Sequence, residues 1–96
     1  MYRSAVSQFD WDPEKARINL AKHGVSFDDA ELAIGHRDAL WLRDEAHSVN
    51  EERFLVLCRA PTGKLLLVVT SEGGRRPRII SAWRAKKRER REFQQR

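Results

Sequence analysis

Hydrophobic and polar positions change period several times along this chain. Gln8, Phe9, Asp10 and Trp11 alternate polar and apolar, as a short strand does. Asp12-Pro13 then marks a helix start. Asp12 can cap free N–H groups, and Pro13 suits the first helical position, where its missing N–H costs nothing. The spacing predicts a helix to His23, with Gly24 able to take the left-handed conformation past its end. Ala16, Asn19, Leu20 and His23 share one stripe. A second helix follows at once. Ser26 and Asp29 have capping-box spacing, Asp standing in for the usual Glu, and Val25 can staple onto Ala30. Phe27, Ala30 and Ile34 supply its buried stripe, and Gly35 ends it.

Beyond Gly35 the period changes. Ala39–Leu42 is a short apolar patch that reads as a strand, and Arg43 to Glu52 is a polar loop. Phe54–Cys58 and Leu65–Val69 are continuous apolar runs separated by Ala60-Pro61-Thr62-Gly63. Glu72-Gly73-Gly74 makes a second turn, and Arg78–Ala82 a further strand, with Pro77 at its entry. Such runs, rich in Val, Leu and Ile, predict an antiparallel meander buried on both faces. Arg84 to Gln95 consists of strong helix formers. The fold class is therefore α+β: an N-terminal helical pair on an antiparallel sheet of three to four strands, followed by a basic C-terminal helix. Residues 1–96 read as a single domain, without repeats or a long linker.

Composition narrows the function classes. The chain has 96 residues, 41% hydrophobic and 34% charged, so it is globular with an unusually charged surface. No apolar run approaches the roughly 18 residues of a membrane span, and Met1–Val6 carry no secretory core, which predicts the cytoplasm. The single cysteine, Cys58, excludes an internal disulfide and a multi-cysteine zinc site, and its apolar strand predicts an inert core residue.

The net charge of +5 is unevenly distributed. Through Gly74 there are nine Lys/Arg against twelve Asp/Glu, a net of −3; from Arg75 onward there are ten against two, a net of +8. The C-terminal helix carries like-charge pairs at i, i+4 (Arg84–Arg88, Lys86–Arg90, Lys87–Arg91), which oppose helix formation. Two readings stand for this block. One is a solvated helix whose late cations suit its dipole. The other is a phosphate-binding surface, which Arg75, Arg76 and Arg78 extend across the last hairpin. No DNA-reading helix-turn-helix or zinc-finger spacing is present, which favours RNA. Trp83 and Phe93 could stack on exposed bases, or pack the helix onto the sheet.

Phe9-Asp10-Trp11-Asp12-Pro13-Glu14-Lys15-Ala16, then Asn19 and Lys22-His23-Gly24-Val25-Ser26-Phe27, resembles the opening of BrnT-type toxins. Glu52-Arg53-Phe54, Arg59, Gly63, Leu66–Val69, Arg78-Ile79-Ile80-Ser81-Ala82 and Glu89-Arg90 continue the likeness in order over residues 8–93. The resemblance implies a RelE-like fold and a type II toxin that cleaves RNA and arrests translation. It also implies a BrnA-type ribbon-helix-helix antitoxin, and operator DNA bound through the toxin–antitoxin complex. Four positions depart from the family pattern: Thr70, followed by Ser71, stands where an aromatic is usual, Gly73 and Trp83 stand where arginine is usual, and Phe93 stands for tyrosine. A weakened toxin that mainly binds its antitoxin as co-repressor is the alternative function.

Metal-independent RNA cleavage needs a group to take the 2′-OH proton, cations around the phosphorus, and a donor for the leaving oxygen. No cofactor is expected. The candidate catalytic residues are Arg53, Arg59, Ser71, Arg84, Glu89 and Arg90, with Arg78 adding charge. Lys22, Arg75, Arg76, Arg78, Trp83, Lys86, Lys87 and Phe93 are the candidate RNA-binding set. Cationic neighbours hold Glu89 ionised, so its expected role is to orient an arginine. Histidine is the better-tuned base. His23, on the first helix's inner stripe, is read as a packed structural residue or a catalytic one, and His36 as solvated. His47 lies near Asp44 and Glu51 without the spacing of a zinc motif.

Overall fold

The computed structural model describes residues 8–95. Met1–Val6, read above for a targeting signal, lie outside the described residues. Two helices come first, α1 (Pro13–His23) and α2 (Phe27–Ile34). Four strands follow, β1 (Leu40–Arg43), β2 (Arg53–Arg59), β3 (Leu65–Ser71) and β4 (Arg78–Arg84), and then α3 (Lys87–Gln95). The sheet is an antiparallel meander in the order β1-β2-β3-β4. The α+β expectation holds, with four strands. No helix among the described residues is long and apolar enough to cross a membrane.

Local signals account for both N-terminal helices. The Asp12 side chain accepts from the Glu14 N–H at 2.9 Å, Pro13 opens α1, and Gly24 closes it at φ +70°. The Ser26 hydroxyl accepts from the Asp29 N–H at 3.0 Å and starts α2. Phe27, Ala30, Ala33 and Ile34 bury the inner side of α2 against Val56, Cys58, Leu66, Val68, Ile79 and Ala82 of the sheet. Burial of each large side chain in this layer contributes about 1.5–3 kcal/mol.

The alternation at Gln8–Trp11 does not extend the sheet by a full strand. Asp10 makes one parallel bridge to Arg78, donating to Pro77 at 2.9 Å and accepting from Ile79 at 3.0 Å. Asp12-Pro13 then turns the chain into α1 before a second rung forms. Leu20, expected on the inner stripe, is 51% exposed. The reason is that α1 meets the rim of β4 through Asn19 instead of lying flat on the sheet. Asn19 is 6% exposed and bonds both the N–H and the C=O of Ala82.

The second sheet face is only partly covered. Leu57 and Leu67 are buried there with Ala85 and Phe93, while Leu40, Leu55, Leu65 and Trp83 are partly buried around them. The meander is thus buried on both faces only in its middle. The C-terminal helix starts three residues later than predicted, because Arg84 is still paired with Leu66 in the sheet. Arg84–Arg88 is therefore not a helical pair, and one of the expected repulsions disappears.

Candidate nucleic-acid interface

Each strand of the β2–β4 meander has seven residues, so its two ends lie about 20 Å apart at the usual rise. The expected site residues divide between those ends. Arg59, Trp83, Arg84, Lys86, Lys87, Glu89, Arg90 and Phe93 gather at one end with Lys22. Arg53, Ser71, Arg75, Arg76 and Arg78 gather at the other. The expectation that Arg53 and Arg78 join Arg59, Arg84 and Arg90 around a single phosphorus centre is corrected by this separation.

At the first end, Lys22, His23, Trp83, Arg84 and Lys86 line a cleft of about 510 Å³. Three pieces of chain build it: the last turn of α1, the end of β4 and the link into α3. Trp83 is half-buried and packs beside the Leu57–Leu67–Phe93 cluster. Its ring centre is 5.9 Å from that of His23, with the planes tilted by 45°. Lys22, Arg84 and Lys86 are exposed around this aromatic pair. The cleft therefore offers cations for phosphate, an indole for a base and an imidazole for proton transfer.

The surrounding residues hold the cleft rather than line it. Arg90 donates to the Ala85 carbonyl at 2.9 Å and fastens α3 to the link. The Glu89 carboxylate accepts from the Lys86 N–H at 2.7 Å, half of a capping box that starts α3. Glu89 was expected to orient an arginine; its hydrogen bond here is to backbone. Arg59 donates to the Gly63 carbonyl at 2.9 Å, and its guanidinium lies 5.6 Å from the centre of the Phe93 ring. Phe93 is 7% exposed, which corrects its expected stacking on bases, since packing against the sheet already covers the ring. Lys87 is exposed at the first position of α3.

At the second end, register does the work. Residues of β3 and β4 pair regularly as far as Val69 with Ser81, after which a bulge makes Ile80 the extra residue. Arg78 consequently faces Ser71, and Ser71 faces Arg53 on its other side. Glu51, just before β2, turns its carboxylate into this row. One oxygen, Oε1, accepts from the Ser71 hydroxyl and from Arg78 Nη2, the latter at 3.0 Å. The Ser71 hydrogen bond, aided by attraction from Arg78 and Arg53, holds the Glu51 carboxyl below its ordinary value of 4.5 against the opposing effect of burial. Arg76 pairs with Asp10 at 3.3 Å, and Arg75 is exposed in the adjoining turn.

Two residues, Glu51 and His23, carry no local signal that places them with the others. Glu51 was read only as a loop acid near His47, because nothing local links it to Ser71, twenty residues on. His47 instead pairs with Asp44 at 2.9 Å, and among the described residues no cluster of three potential metal ligands forms. His23 has the same helical spacing for a structural or a catalytic role, and the path of β4 places it beside Trp83 in the cleft. Cys58 is buried as expected, and desolvation pushes its thiol up to about 12.

Fold and site together define a small α+β protein in which Lys22, Arg84 and Lys86 rim a cleft lined by Trp83 and His23. The family model for "Ribonuclease toxin, BrnT, of type II toxin-antitoxin system" matches residues 11–89, and the chain belongs to that family. It is a ribonuclease toxin of a type II system, which implies an RNA substrate and a cognate antitoxin. No curated protein matches the chain significantly.

Proposed function

We propose that this toxin is a metal-independent endoribonuclease that cuts RNA in the Trp83 cleft, inhibits translation, and is neutralised by a BrnA-type ribbon-helix-helix antitoxin. The observation that carries the reading is the convergence of Lys22, His23, Trp83, Arg84 and Lys86 on one cleft. An unpaired base stacks on the indole, and the flanking phosphate meets the three cations. His23 takes the 2′-OH proton, and the freed oxygen attacks the adjacent phosphorus. The P–O5′ bond breaks and the 5′-oxygen takes a proton from solvent water in the open cleft, giving a 2′,3′-cyclic phosphate and a 5′-hydroxyl end. Arg84 and its neighbours offset the charge that grows on the phosphoryl oxygens. Arg90 and Glu89 act as positioning residues through the Ala85–Lys86 link.

The direct test is incubation of the purified chain with defined RNA, with and without EDTA. Cleavage unaffected by EDTA, with cyclic-phosphate ends, is the expected result, and His23→Ala should slow it by about 10²-fold or more. Uncut RNA at micromolar protein would end the proposal. A second reading, a weakened toxin that serves mainly as co-repressor with its antitoxin on operator DNA, is favoured by Trp83 and Gly73 in place of the usual arginines. Growth arrest on expression without antitoxin counts against it.

A further inference from the structure

The row formed by Arg53, Ser71 and Arg78 takes no part in the cleft chemistry, yet it is built as an oxyanion site. Its three members come from three adjacent strands and face one another directly. Ser71 is fully buried, and its hydroxyl converges with the Arg78 guanidinium on a single oxygen atom. A hydroxyl and a guanidinium meeting on one anionic oxygen is also the donor set that binds phosphate esters. That oxygen belongs to the chain itself. Glu51 brings it in from the loop before β2, and its side chain lies across the bare backbone of Gly73. A Cβ added at Gly73 would stand 1.9 Å from Glu51 Oε2 and 2.6 Å from Glu51 Cβ. The seat of the carboxylate exists only because residue 73 has no side chain. The seat is also open to solvent, with the Arg78 side chain 43% and the Glu51 side chain 28% exposed.

We propose that Arg53, Ser71 and Arg78 form a second phosphate-binding site for the RNA backbone, and that Glu51 occupies it in the free protein as a built-in competitor. The choice of RNA as ligand rests on the ribonuclease reading above; the anion site itself rests on the geometry. RNA that reaches from the cleft to the far end of the sheet must displace the Glu51 carboxylate before a phosphodiester meets Ser71. Affinity is thereby lower than the cationic surface alone would give, and Glu51 sets how much lower.

The test uses the full chain and a fluorescent 2′-O-methyl oligoribonucleotide, which cannot be cut, with anisotropy read over a range of salt. Glu51→Gln should bind at least about threefold tighter and steepen the plot of log K against log salt by about 0.7, the value for one more single-strand phosphate contact. Adding Ser71→Ala to Glu51→Gln should reverse the gain. Glu72→Gln, which removes a neighbouring exposed carboxylate, should leave the slope unchanged. Gly73→Ala is the decisive variant, because it dislodges Glu51 sterically and keeps every charge. It should reproduce the tighter binding, with thermal unfolding confirming that the variant is folded. Equal gains from Glu51→Gln and Glu72→Gln, or no gain from a folded Gly73→Ala, would overturn the proposal. Inorganic phosphate titrated against Glu51→Gln and followed at the Ser71 amide by NMR tests the anion site without RNA. A response there without any RNA gain removes RNA as the ligand. Trp83→Ala in the anisotropy assay reports on the cleft alone, so failure of the cleft and failure of the second site are told apart.

Discussion

Asn19 completes the open rim of β4 by treating Ala82 as a strand partner. Its Oδ1 accepts from the Ala82 N–H at 3.1 Å, and its Nδ2 donates to the Ala82 carbonyl at 2.8 Å. The same Nδ2 donates to the Val25 carbonyl at 3.0 Å, tying the rim to the α1–α2 elbow. Because Ala82 immediately precedes Trp83, and Asn19 lies one turn before His23, this contact also sets the spacing of the two rings in the cleft. Asn19→Ala leaves up to three buried backbone groups without a partner, at about 1–3 kcal/mol each where water cannot enter. A destabilisation of about 3 kcal/mol or more is expected by urea unfolding, accompanied by loss of cleavage. A variant as stable as the parent would mean that Ala82 finds other partners.

Trp83 should matter to RNA binding more than to folding, since it is only half-buried at the margin of its cluster. Trp83→Ala is expected to weaken binding of single-stranded RNA by about 1–3 kcal/mol, the usual worth of one stacked base. Trp83→Phe should recover part of that loss. Anisotropy with an uncleavable oligonucleotide gives the ranking, and an unchanged Kd for Trp83→Ala would remove the indole from the interface.

Cys58 lies in the core, with its thiol shifted to about 12 by desolvation. Only the thiolate reacts with alkylating reagents, so the native chain should remain unmodified by iodoacetamide at pH 8. Modification should appear in step with unfolding as urea is added. Rapid labelling of the native protein, read by mass, would show that the β2 core opens without global unfolding.

Acid should release Glu51. Its carboxyl titrates below 4.5 in the folded chain, so the folded state binds fewer protons than the unfolded state across that window. The stability this contributes is complete above the unfolded value and is lost as pH falls through the folded one. Urea midpoints between about pH 5 and pH 3 should therefore fall more steeply for the parent than for Glu51→Gln. Parallel curves would mean that Glu51 is not held by Ser71 and Arg78 in solution.

Much of the fold was legible because its signals are local. Asp12-Pro13, the Gly24 turn and Ser26 with Asp29 are caps that work within one helical turn, and α1 and α2 begin and end where those residues require. The apolar runs around Val56, Val68 and Ile79 identify strands by composition alone. The readings that failed concern neighbours rather than elements. Leu20 has helical spacing but no wall to pack against, because α1 meets a strand rim. Phe93 looked available to a base, yet the Leu57–Leu67 face covers it. Arg84 belonged to a run of helix formers, but pairing with Leu66 keeps it in the sheet.

The sequence by itself determined the element order, the helix caps, the apolar strands and the split between an acidic body and a basic C-terminal quarter. Those features depend on residues within a few positions of one another. Only the tertiary structure decided how the cations are shared out. Seven-residue strands hold Arg53 and Arg78 at one end and Arg59 and Arg84 at the other, and the extra residue Ile80 turns Arg78 onto Ser71. Glu51 and Gly73 met in the same way, through strand pairing between segments some twenty residues apart. Side-chain convergence of that kind is a property of register, and register is set by the packing of the whole sheet.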